Sequence, residues 1–118
     1  MMRNRILLSF IFFFCLLTGC CITSMNRYEQ ANRDVEIQEN QSKVIVFYRD
    51  DCAECQKVFP FLYVRNLLFD DLLFVNMNSK QNRHYVEEYS LRTVPTFIKG
   101  SRMYRGTDLK KIVQFLHQ

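Results

Sequence analysis

Hydrophobic positions fall along this chain in separated blocks whose length and period assign them different roles. The first, Ile6 to Leu17, is an apolar run of twelve broken only by Ser9. A bilayer-spanning helix needs ~20 such residues, so this run predicts a signal-peptide core, not a membrane span. From Thr23 to Ser42 the chain is polar, with Met25, Tyr28, Ala31, Val35 and Ile37 thinly spread. That pattern leaves open a tether or a short helix or edge strand docked on the folded domain. Lys43 to Tyr48 is β-branched and aromatic, which predicts a strand buried on both faces. After the turn Arg49-Asp50-Asp51, the positions Phe59, Leu62, Tyr63, Asn66 and Leu67 repeat at helical spacing.

Asp70-Asp71 breaks that helix, and Leu72 to Met77 is a second apolar strand. Strand, helix and strand in this order predict a right-handed crossover with parallel pairing. A polar loop, Asn78 to Asn82, leads through a cap at Asn82 into a short helix, Arg83 to Tyr89. Pro95 opens a strand to Lys99, where its missing N–H does no harm. Gly100-Ser101 closes a hairpin with Arg102 to Arg105, and Gly106-Thr107-Asp108 caps a last helix, Leu109 to His117. Its predicted buried face is Leu109, Ile112, Val113 and Leu116.

Composition narrows the function. The chain has 118 residues with 16 Lys and Arg against 12 Asp and Glu, and no basic run or glycine-rich phosphate loop. No nucleic acid or nucleotide is expected as a partner. Five cysteines change the picture more. Cys52 and Cys55 stand where the first strand hands over to its helix. A thiol in the first helical turn faces unpaired N–H groups and the positive end of the dipole, both favouring thiolate. Cys52 is expected to be the more acidic and exposed of the two. Cys55, one turn deeper on the same side, is placed to close a disulfide with it. Asp50, Asp51 and Glu54 add negative charge that works against the dipole.

Leu17-Thr18-Gly19-Cys20, behind the basic head Arg3 and Arg5, resembles the lipobox of bacterial lipoproteins. That resemblance implies cleavage before Cys20 and lipidation of Cys20. The domains expected are then 1–19 as signal peptide, 20–41 as polar tether and 42–118 as the folded domain. An ordinary secretory signal or an uncleaved anchor are the alternatives, and all three place the domain outside the cytoplasmic membrane. Removing 19 of 118 residues leaves 99, enough for one core. A dithiol there sits in a compartment where disulfides persist. Cys21 is expected to be acylated, capped or idle beside the anchor, with no catalytic part.

From about Lys43 onward the chain resembles the thioredoxin superfamily. Cys52 and Cys55 match its redox pair, Pro60 its helix-kinking proline, Val94-Pro95-Thr96 its cis-proline loop, and Gly106 the glycine before its last helix. The resemblance implies an α/β fold with a central mixed sheet flanked by helices. It implies thiol–disulfide exchange with Cys52 as nucleophile, Cys55 as resolving thiol and a cis Pro95. It also implies that Thr93 and Val94, with Ala53 and Glu54 between the cysteines, face the substrate. The chain departs from the family at Val46, where a buried acid is usual, and at Asp51, where tryptophan is usual.

The expected function is a lipid-anchored extracytoplasmic oxidoreductase acting on disulfides of exported proteins or peptides, reset by a redox partner, without a cofactor. Whether it oxidises, reduces or isomerises depends on a potential that no motif encodes. The rival reading is a non-catalytic binding module for exported polypeptides, resembling in general type the accessory proteins of exported bacteriocins. No metal is expected, since His84, His117 and Cys21 are not paired with Cys52 or Cys55 at ligand spacing.

Overall fold

The computed structural model describes all of residues 1–118. Its centre is a sheet in the order β2-β1-β3-β4. Strands β1 (Val44–Tyr48) and β2 (Leu72–Asn76) run parallel, joined by helix α2 (Ala53–Phe69). Strand β3 (Thr96–Lys99) pairs antiparallel with β1 and, through the Gly100-Ser101 turn, with β4 (Arg102–Arg105). Every residue of β1 is buried because its two faces meet different layers. Val44, Val46 and Tyr48 pack with Cys55, Val58, Phe59 and Leu62 of α2 and with Ile112, Phe115 and Leu116 of α4 (Leu109–His117). Ile45 and Phe47 point the other way, to Tyr85 on the short helix α3 (Tyr85–Glu88).

Local chemistry sets the element ends. Asp108 caps α4 by accepting from the N–H groups of Lys110 at 3.0 Å and Lys111 at 3.4 Å. Helix α2 ends at Asp70 in the left-handed region, φ 48°, and Asn66 Oδ1 accepts from Leu72 N at 2.9 Å to steer the chain into β2. Gly106 takes φ 142°, and a Cβ there would stand 2.8 Å from the Tyr104 hydroxyl.

Three expectations change. Leu109 is 45% exposed and Phe115 takes its place in the core, since α4 turns its 112, 115 and 116 positions to the sheet. The buried stripe of α2 is 55, 58, 59 and 62; its last turn overshoots, leaving Leu67 and Leu68 exposed. Asn82 caps no helix. It ends a 3₁₀ turn, Lys80–Asn82, and is 1% exposed.

The N-terminal region is helical well past its apolar run. Helix α1 runs unbroken from Met2 to Gln30, and it is long and apolar enough to cross a membrane. The polar residues after Leu17 do not interrupt it. Thr18 Oγ1 bonds back to Phe14 O at 3.1 Å and Cys15 O at 3.0 Å, and Thr23 Oγ1 to Gly19 O at 2.9 Å. Its last turn docks on the domain: Met25 and Tyr28 join the core, and Glu29 is buried. The following residues are also held. Asn82 accepts from Val35 N at 3.0 Å and donates to Arg33 O at 2.8 Å, and Tyr85 Oη accepts from Ile37 N and donates to Val35 O.

Candidate functional site

Two chain segments meet at the carboxyl end of β1. The first is the β1–α2 junction. Cys52 occupies the N-cap of α2 in extended backbone, and its Sγ accepts from Cys55 N at 3.3 Å. A sulfur thus fills the capping role an oxygen usually plays, which holds it over the open end of the helix. The second is the loop before β3. The Val94–Pro95 peptide bond is cis, and the Cys52 thiol lies 3.8 Å from Val94 O, which accepts from it. Thr96 Oγ1 donates to Thr93 O at 2.7 Å, and Gly106 N to Pro95 O at 3.4 Å, which ties this loop to the hairpin.

The two thiols have unlike surroundings. Cys52 is partly exposed and Cys55 is 1% exposed. Burial pushes the Cys55 thiol well above the ordinary cysteine range, helped by its hydrogen bond to Cys52 and opposed by the backbone and charge of Arg49. The neighbouring carboxylates are themselves paired. Glu54 is held by Lys57 at 2.7 Å and Asp51 by Arg49 at 3.4 Å. Hydrogen bonds from Lys57 and Asn78, respectively, lower the pKa of Glu54 and Asp51. The charges felt by Cys55 are those of Cys52 and Arg49.

The structure brings Cys52, Cys55, Val94 and Pro95 together, with Thr93 exposed beside them. Ala53 and Glu54 are exposed on the first turn of α2, and Glu54 turns toward Lys57 and Thr107. Val46 is fully buried among apolar neighbours, so no acid lies at that position. Sequence reasoning missed a buried carboxylate and a row of cations. Glu29 is 7% exposed with Oε1 unpartnered, and burial and Asp50 both raise its pKa. Arg49, Arg83 and Arg92 line a cavity of about 410 Å³ that reaches Val94. No periodic signal marks either feature, because the contributing residues lie far apart in the chain.

A dithiol at a helix N-terminus beside a cis-proline loop on a mixed four-stranded sheet defines a thioredoxin-fold protein. The thioredoxin family description matches residues 24–118, and the chain belongs to that family. A curated relative, the chloroplastic Thioredoxin-like 2-2 of Arabidopsis thaliana, is 29% identical over 65 residues, 55% of this chain. The match spans only 26% of that relative's length. Among solved structures, thioredoxin f2 of Chlamydomonas reinhardtii superposes with TM-score 0.58 at 24% identity, covering 69% of this chain and 82% of that one. Oxidised thioredoxin O1 of Arabidopsis thaliana gives TM-score 0.56 at 19% identity, covering 82% and 86%.

Proposed function

We propose that this protein is an extracytoplasmic, membrane-anchored thiol–disulfide oxidoreductase acting on exported proteins or peptides. One observation carries the reading: an accessible Cys52 sulfur at a helix N-cap touches the Val94 carbonyl, with Cys55 buried one turn behind. In the reducing direction, the Cys52 thiolate attacks a substrate disulfide. The Cys52–substrate bond forms, the substrate S–S bond breaks, and one substrate thiolate leaves. Cys55, deprotonated, then attacks the Cys52 sulfur and the second substrate thiolate leaves. Two electrons have passed to the substrate, and a Cys52–Cys55 disulfide remains for a redox partner to reset. The oxidising direction is the reverse. High proton affinity at Cys55 suits this order, since the resolving thiol stays protonated while Cys52 attacks.

Anchoring is proposed on the exposed apolar face of α1, with lipid on Cys20 as the form the Leu17-Thr18-Gly19-Cys20 motif supports. The unit that docks and folds begins near Met25 in this reading, with residues before it serving as signal and anchor.

Replacing Cys52 by Ser is expected to abolish disulfide exchange. Replacing Cys55 by Ser should let a mixed disulfide with substrate accumulate, seen as a reducible adduct on gels. Full exchange by Cys52→Ser would overturn the enzyme reading. Full function of the double Cys→Ser chain in cells would favour the binding module, working through the Val94 and Pro95 edge.

A further inference from the structure

We infer that the site selects disulfides carried on acidic polypeptide segments, a specificity that rests on the redox reading above. The cavity of about 410 Å³ neighbours the dithiol through one shared residue: Val94, whose carbonyl is 3.8 Å from Cys52 Sγ, forms part of its wall. A polypeptide that presents a disulfide to Cys52 along the Val94 loop therefore runs over this groove. Its floor is apolar, made by Met77, Val86 and Leu91. Three of its remaining wall residues are Arg49, Arg83 and Arg92, and no carboxylate is among them.

The charges are available for a ligand. Arg83 and Arg92 are exposed, and neither takes part in any of the molecule's ion pairs. Arg49 is shared with Asp51 at 3.4 Å. Asp50 and Asp51 at the rim both accept from the Asn78 side chain, which holds Asn78 in the wall. An acidic segment gives the two free guanidiniums the carboxylates that their planar donor forks match. A basic segment meets uncompensated like charge at the same positions. The three arginines come from the β1–α2 turn, the end of the 3₁₀ turn before α3 and the loop before Pro95, so only the folded chain assembles the row.

The test uses the reduced full chain in nonionic detergent micelles. Two synthetic peptides, each with one intramolecular disulfide, differ only in carrying Glu or Lys around it. The second-order rate constant for release of peptide thiols is measured for each, with uncharged bis(2-hydroxyethyl) disulfide as reference. The Glu peptide is expected to react about tenfold faster at low ionic strength, with the ratio falling toward one at about 0.5 M salt. Charge reversal, Arg83→Glu with Arg92→Glu, should invert the order, and the milder Arg83→Gln with Arg92→Gln should erase it. Each ratio is taken within one protein, so a general loss of activity cancels. Equal rates for the two peptides, or a preference that survives replacement of both arginines, overturn the specificity while leaving the exchange reading intact. Failure to reduce even the uncharged disulfide overturns the redox reading instead.

Discussion

Glu29 shows how one residue is set by its neighbours. Its carboxyl is buried with one oxygen unpartnered, and Asp50 stands close enough to add repulsion. Both effects favour the protonated form, so the folded-state pKa lies above the unfolded value of ~4.3. A group raised in this way contributes stability that is fully present below the unfolded pKa and is lost as pH rises through the folded one. Glu29→Gln should remove that loss. The variant is expected to be more stable than the parent at pH 7, with the difference shrinking toward pH 4. Urea unfolding at several pH values checks this; a difference independent of pH would sink it. The backbone of Glu29 is useful whatever the charge, since its carbonyl accepts from Tyr48 Oη at 2.9 Å and from Asn76 Nδ2 at 3.4 Å.

Among the elements, the irregular segment after α1 is held by side chains in place of a strand ladder. Asn82 does most of it. Its amide accepts from Val35 N at 3.0 Å and donates to Arg33 O at 2.8 Å and Asn76 O at 3.0 Å. Removing a buried side chain that serves three backbone groups leaves those groups unpaired, each at ~1–3 kcal/mol. Because Arg33 is exposed and Val35 only partly buried, water can take over part of this pairing, so Asn82→Ala is expected to cost about 2–4 kcal/mol in urea unfolding and to expose the bond after Arg33 to trypsin. Unchanged stability with unchanged protease resistance would show that the segment is held by Val35 and Ile37 packing alone. From sequence, Asn82 reads as a helix cap, because Asn before a helical pattern usually is one. Two of its three partners, Arg33 and Val35, lie forty-odd residues upstream and are invisible to local pattern.

For the molecule as a whole, the docked end of α1 would set how far the dithiol stands from a lipid surface under the proposed anchoring. The principal extents are 64 × 31 × 25 Å, as expected for a small domain with one projecting helix. Cys20 lies five residues before Met25 in the same helix, about 7.5 Å of rise, so lipid on Cys20 would seat the domain close to the membrane. Of the two alternatives left open for the polar 20–41 stretch, part of it is docked: Tyr28 meets Tyr63 and Phe74 edge-on at 5.6 Å between ring centres. Mass spectrometry of the membrane fraction should show a chain beginning at Cys20 and carrying lipid, and Cys20→Ser should abolish the addition. A mass for the full 118 residues would replace the lipid anchor with α1 itself as a spanning helix.

Period and turn chemistry alone determined the order of strands and helices from Val44 onward, the parallel β1–β2 crossover, the 100–101 hairpin turn and the placement of Cys52 and Cys55 at a helix start. These follow from local forces: alternation of side chains across a strand, the 3.6-residue repeat, caps and glycines. Tertiary structure decided what depends on contacts between distant segments. It turned Phe115 inward and Leu109 outward, buried Glu29 against the end of β1, seated the polar 31–37 segment on Asn82 and Tyr85, and gathered three arginines beside Val94. Burial and charge fields are properties of the assembled volume, and residues separated by tens of positions leave no periodic trace of sharing it.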